Sequence, residues 1–169
     1  MKTARYTKVA AIVAGLALIA PSAYAVTTKP TTAQKAALQY LVEEEKLARD
    51  VYAYLAANVT TRRFANIVKA EQFHMDQISA LLKTYGVYNP TTTRAAGVFK
   101  NVELQKLYNT LTVEGAAGQI AAFGVGVKIE DMDIEDLKVM LTKDMPADMK
   151  LALDALMRGS QNHLAAFKR

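Results

Sequence analysis

The 169-residue sequence contains no cysteine. Disulfides and thiolate metal sites are thereby excluded, so stability must come from packing and bound ligands. Strand signals are nearly absent: there is no sustained apolar/polar alternation and no Asn-Gly turn. No P-loop, dinucleotide glycine pattern or nucleophile elbow occurs, and Gly124-Val125-Gly126 is too short to count as one. There is no strict repeat and no low-complexity tract. Beyond residue 25, no run is long and apolar enough to cross a bilayer.

At the start, Lys2, Arg5 and Lys8 precede the uncharged apolar run Val9 to Ala20. Pro21 breaks that run, and Ala23-Tyr24-Ala25 has the small-x-small form of a cleavage site. Residues 1–25 are therefore expected to be a signal peptide, 26–32 a flexible leader and 33–169 the folded domain. The expected location is exported, periplasmic or extracellular. Cleavage would remove three basic residues and no acidic one, lowering the formal charge from +5 to +2. The basic balance belongs largely to the leader and makes no case for nucleic-acid binding. No stable membrane insertion is expected after cleavage; a homodimer is open.

The remainder reads as helices. Thr31-x-x-Gln34 has capping-box form and opens a helix expected to reach about Ala57, with the stripe Leu38, Leu41, Ala48, Tyr52, Leu55. Thr60-Thr61 caps a second, carrying Phe64, Ile67, Ile78, Leu81 and Tyr85, with Gly86 as its stop. Asn89-Pro90 marks a loop, and residues 91–101 read as irregular. A short helix is expected from Asn101 through Leu111. A third long helical stretch is expected from about Thr112, with the stripe Ile120, Phe123, Val127, Ile134, Leu137, Leu141. Gly124, Gly126 and Asp133 weaken it and predict a kink or split. Pro146 suits the start of a last helix carrying Met149, Leu153, Leu156, Leu164 and Phe167. Four long amphipathic helices and a short one predict an all-α four-helix bundle.

Polar residues interrupt these stripes. The inward positions of the first helix include Glu45, those of the second Glu71 and His74, those of the third Glu130, and those of the last Ser160 and His163. Burying an unpaired carboxylate costs about several kcal/mol, and three of them would exhaust a typical stability of roughly 5–15 kcal/mol. A divalent metal would compensate, because carboxylate with imidazole suits iron, manganese or zinc. Residues three apart on a helix lie nearly one above the other, so Glu71 and His74 can reach one ion or a pair. On the bland reading, Glu43-Glu44-Glu45 is a solvated charge run, Glu71-x-x-His74 a solvated face and His163 a hydrogen-bonded core or end-of-helix histidine. Against it, His74 and His163 are the only histidines, and both fall on apolar stripes of different helices. Met132, Met140, Met145, Met149 and Met157 could offer thioethers to Cu(I), but methionine more often fills helical cores.

The segment Glu45-x-x-Ala48-Arg49-x-x-Tyr52 resembles the first-helix pattern of rubrerythrins, and Glu71-x-x-His74 the Glu-x-x-His of the ferritin-like superfamily. Residues 43–52, 71–76, 129–137 and 159–167 together resemble a ferritin-like domain family of unknown function found in bacteria and archaea. The resemblance covers nearly all of residues 33–169. It implies a ferritin-like bundle with a short extra helix in the long crossover. It also implies Glu45, Glu71, His74, Glu130 and His163 as metal ligands, with iron first and Glu71 bridging. Tyr52, Ser160 and Asp133 would lie around them. Ser160 stands where a full di-iron site has a carboxylate, and Asp133 or water could compensate. Oxygen, peroxide or iron-oxidation chemistry is expected by analogy only. The competing expectation is a metal-free helical interaction module, with Glu71 paired to Arg49 or His163.

Overall fold

The computed structural model describes residues 29–169. The expected signal peptide lies outside the described residues. Five helices follow in order: α1 Thr32–Asn58, α2 Arg62–Thr84, α3 Val102–Gly115, α4 Gln119–Leu141 and α5 Ala147–Phe167. No strand occurs among the described residues. The fold is an all-helical bundle of four long helices, with α3 in the crossover from α2 to α4.

Local chemistry sets the helix starts. Thr31 accepts from the Gln34 amide while the Gln34 side chain accepts from the Thr31 amide, closing the expected capping box. Thr61 caps α2 by accepting from the Arg63 amide, and Asn101 caps α3 through Glu103 and Leu104. Pro146 sits at the N-cap of α5.

Short links pair α1 with α2 and α4 with α5; α2 also packs on α5, and α1 on α4. Tyr52 reaches Gly126 and Glu130, whereas Tyr40 lies near Asp133 and Asp136, so α1 and α4 run antiparallel. Helix α3 packs across α1 and α4. The crossover is tied down by α1 side chains. Glu43 accepts from the Lys100 and Asn101 amides at 2.5 and 3.2 Å. Buried Lys46 pairs with Asp50 and donates to the Ala95 carbonyl, and Asp50 accepts from the Gly97 amide.

Two boundaries differ from the sequence reading. The short helix runs on to Gly115 and includes Thr112, and the break falls at residues 116–118, where Gly118 has φ of 137°. That is a glycine conformation and it starts a new helix. Helix α4 is then unbroken through Gly124 and Gly126. Glu130, Ile134 and Leu137 of the expected stripe are buried, but nearer the N-terminus the buried face is rotated. Ala122, Val125 and Ile129 are buried, whereas Ile120 is 90% exposed.

The apolar core falls into two clusters. One gathers Leu47, Val51, Tyr52, Phe64, Ile67, Ile129 and Phe167, among others. The other gathers Leu38, Leu41, Ile78, Leu82, Leu137, Leu153 and Leu156, among others, and contains Met149. Met140, Met145 and Met157 pack against this second cluster, so these methionines serve as core. Between the clusters each long helix contributes polar residues: 45 on α1, 71 and 74 on α2, 130 and 133 on α4, 160 and 163 on α5.

Candidate metal centre

The polar layer brings together side chains from four helices, between positions 45 and 163 of the sequence. Glu45, Glu71 and His74 form one group and Glu71, Glu130 and His163 another; in each, one ligand-type atom per residue lies within 4.8 Å of the others. Glu71 belongs to both. Its Oε2 lies 2.9 Å from His74 Nδ1, and its Oε1 lies 2.8 Å from His163 Nδ1. His74 Nδ1 is also 3.2 Å from Glu45 Oε2, and His163 Nδ1 is 3.5 Å from Glu130 Oε1. The two imidazole centroids are 5.6 Å apart. The three glutamates are at most 1% exposed, His74 is 5% exposed and the His163 side chain 11%.

Hydrogen bonding leaves this layer incomplete. Glu45 Oε1, Glu71 Oε1, Glu130 Oε2 and His163 Nδ1 are sealed from solvent with no hydrogen-bond partner. Glu71 Oε1 and His163 Nδ1 are close but out of line for a bond between them. Buried polar groups are ordinarily satisfied, so several orphans converging on one layer call for something else. Spacings of 2.8 to 3.5 Å also match neighbouring ligands of a first-row metal. At metal–ligand distances of about 2.0–2.2 Å, octahedral neighbours stand about 3 Å apart.

Electrostatics point the same way. Burial pushes Glu45 up to about 7, opposed by the His74 contact. Burial likewise pushes Glu130 to about 7, opposed by His163 and Tyr52. Burial would lower His74, but Glu45 and Glu71 overcome it and raise it to about 10. His163 is raised to about 9, with Glu130 and Glu71 outweighing burial. Burial alone would raise Glu71, yet the two imidazoles hold it below its ordinary value. Asp133, 1% exposed with both oxygens unpartnered, is pushed far upward by burial and by Glu45 and Glu130. Four carboxylates therefore share the layer with two imidazoles. Without metal, protons retained on the rings and on Asp133, Glu45 and Glu130 neutralise the layer; fully ionised, the four carboxylates carry a charge of −4. Two divalent ions beside neutral imidazoles would balance it.

Residues 34–169 match the family of the uncharacterized protein domain DUF2202. The chain belongs to this family. The uncharacterized protein MJ0754 of Methanocaldococcus jannaschii is 40% identical over 136 residues, spanning 80% of this chain and 74% of its own length. The crystal structure of the hypothetical protein MJ0754 from Methanococcus jannaschii matches with a TM-score of 0.80 at 38% identity. That match covers 83% of this chain and 80% of the other.

In this DUF2202 domain the surrounding residues sort themselves by geometry. The Tyr52 hydroxyl donates to Glu130 Oε1 at 2.7 Å, inside an aromatic cluster with Phe64 and Phe167. Ser160 is buried, but its hydroxyl donates to Leu156 O of its own helix at 3.3 Å and joins neither group. Asp133 joins neither group as well. Arg49 bonds Asp50 and Gln72 rather than Glu71. The Glu43-Glu44-Glu45 run is not a solvated face: all three are buried. At about 100° per residue they point in three directions, Glu43 to the crossover, Glu45 to the centre and Glu44 toward Asp136.

The stripe pattern of the sequence does not single out Glu44 or Gly159. A Cβ on Gly159 would stand 2.5 Å from His74 Cε1, so only glycine lets the ring lie against α5. The signal was available: a glycine inside a helix weakens it by roughly 0.5–1 kcal/mol and marks a close approach.

Proposed function

We propose that this domain binds a pair of divalent transition-metal ions, iron foremost, through Glu45, Glu71 and His74 on one side and Glu71, Glu130 and His163 on the other. The observation carrying this reading is the set of buried, unpartnered ligand atoms that converge from four helices around Glu71. Mixed carboxylate and imidazole donors suit iron and manganese, and zinc is the next candidate. The ligand set fits without a carboxylate at position 160. Glu71 reaches both groups, and Asp133 on α4 would supply a fourth negative charge on losing its proton to bound metal. The chain's own residues exclude water, orient the imidazoles and hold Glu130 through the Tyr52 hydroxyl. Bound iron would supply electrons for oxygen or peroxide reduction, as in the ferritin-like superfamily that the sequence resembles. Export by residues 1–25 would place this chemistry outside the cytoplasm.

Purified protein tests the reading. Aerobic loading with Fe(II), followed by metal analysis and iron-dependent absorbance, should give about two ions per chain. Protein that stays metal-free, together with a Glu71→Ala variant of unchanged melting temperature, would sink it.

The second reading is a metal-free interaction module. It is favoured by the hydrogen-bond distances from His74 Nδ1 to Glu45 and Glu71 and by Ser160 turning back on its own helix. On that reading, chelators and added metals leave the melting temperature unchanged.

A further inference from the structure

Between α1 and α4, outside both ligand groups, a second set of acidic side chains leads from the surface to the centre. On α4, Glu130, Asp133 and Asp136 recur every three residues and so share one face. On α1, Tyr40 and Glu44 are four apart and share the facing stripe. Exposure falls along the series. Tyr40 is 38% exposed and Asp136 half-buried, while Glu44 and Asp133 are each 1% exposed. Asp136 and Tyr40 are the neighbours of Glu44, and Glu45, Glu130 and Glu44 are those of Asp133.

What singles out this series is its lack of partners. Both oxygens of Glu44 and both of Asp133 are sealed from solvent without a hydrogen bond. Among the described residues, no lysine, arginine or histidine lies within ion-pair distance of Glu44, Asp133 or Asp136. A structural role would bring cations to such groups, as Lys46 and Arg49 are brought to Asp50. The three are also not drawn into one tight ligand group like those around Glu71. Successive carboxylates too widely spaced to close a ligand shell hold a cation loosely and suit transit rather than storage.

We propose that Asp136, Glu44 and Asp133 form a passage between α1 and α4 that conducts a divalent cation, shedding its water as it enters, from the surface at Tyr40 to the Glu45/Glu71/Glu130 centre. This rests on the metal-binding reading of the centre. On leaving the surface, the cation would meet Asp136 first, then Glu44, then Asp133, each a carboxyl group without a basic partner.

Stopped-flow mixing of metal-free protein with Co(II), followed by the visible absorbance of the bound ion, tests the passage. Glu44→Gln and Asp136→Asn preserve side-chain shape and leave the ligands of the centre untouched. The double variant should load at least tenfold more slowly than wild type, with the same final stoichiometry and spectrum. Glu44→Asp, which keeps the carboxylate, should restore most of the rate. Equal loading rates in wild type and the double variant would overturn the passage while leaving the centre intact. A double variant that ends with less bound Co(II) would also overturn it, by making these residues ligands. Wild type that takes up no Co(II) would overturn both.

Discussion

Replacing Gly159 with alanine sets two physical effects of opposite sign against each other. Gly159 lies inside α5, where alanine ordinarily adds about 0.5–1 kcal/mol of stability. Here the new Cβ would meet His74 Cε1 at 2.5 Å, whereas ordinary contact begins at 3.4 Å, so about 1 Å must be found. The ring cannot swing freely, because Nδ1 is held between Glu45 and Glu71. Overpacking of this kind costs roughly 1–3 kcal/mol, which exceeds the helical gain. The expected net loss is about 1–2 kcal/mol, or roughly 3–6 °C in melting temperature. A displacement of about 1 Å also exceeds the roughly 0.5 Å tolerance of a preorganised site, so Co(II) affinity should fall at least tenfold. Calorimetric unfolding with and without metal, beside an equilibrium Co(II) titration, measures both quantities. A Gly159→Ala protein that melts higher than wild type and binds Co(II) equally well would refute the steric account of His74.

Stoichiometry separates the two ligand groups. Glu71→Gln should abolish metal binding, whereas Glu45→Gln and Glu130→Gln should each leave one ion per chain, read by metal analysis after gel filtration; equal effects of all three would contradict the shared role of Glu71. The metal-free protein should lose stability as pH rises. His74 and His163, raised to about 10 and 9, and Glu45 and Glu130, raised to about 7, all hold protons in the folded state that the unfolded chain releases. Their contributions are complete below the unfolded values of about 6.5 for His and 4.3 for Glu, and vanish as pH climbs through 7 and then 9–10. Glu71, held low, acts oppositely, and its contribution is lost only in acid. Melting temperatures in chelator from pH 5 to 10 should therefore decline, while the increment from added metal grows because ligands must deprotonate; a flat chelator profile would contradict this. Glu43→Ala should free the crossover at Lys100 and Asn101, costing about 2–4 kcal/mol for two charge-assisted bonds. Hydrogen exchange of those amides, if unchanged, would rule that anchor out.

Local sequence features define α1, α2 and α5 and the residues that could not be ordinary core. The capping box at Thr31, the Thr61 cap and the period of α1, α2 and α5 are local features, and local features survive without knowledge of the partner helices. Glu45, Glu71, His74, Glu130 and His163 stood out because charge on an apolar stripe is costly wherever the stripe packs. Between Gly115 and Gly126 the pattern failed. Apolar residues there surround several glycines, adjacent stripes differ by one 100° step, and only packing against Phe167 and Tyr52 chose the face that buries Val125 and exposes Ile120. Tertiary structure alone decided that Glu71 faces both histidines, that Ser160 turns away, and that Glu44 is buried opposite Asp136. It alone placed Gly159 against His74. Those outcomes depend on how four helices are rotated about their own axes. That rotation follows from the summed packing of two apolar clusters above and below the polar layer, which no single helix encodes.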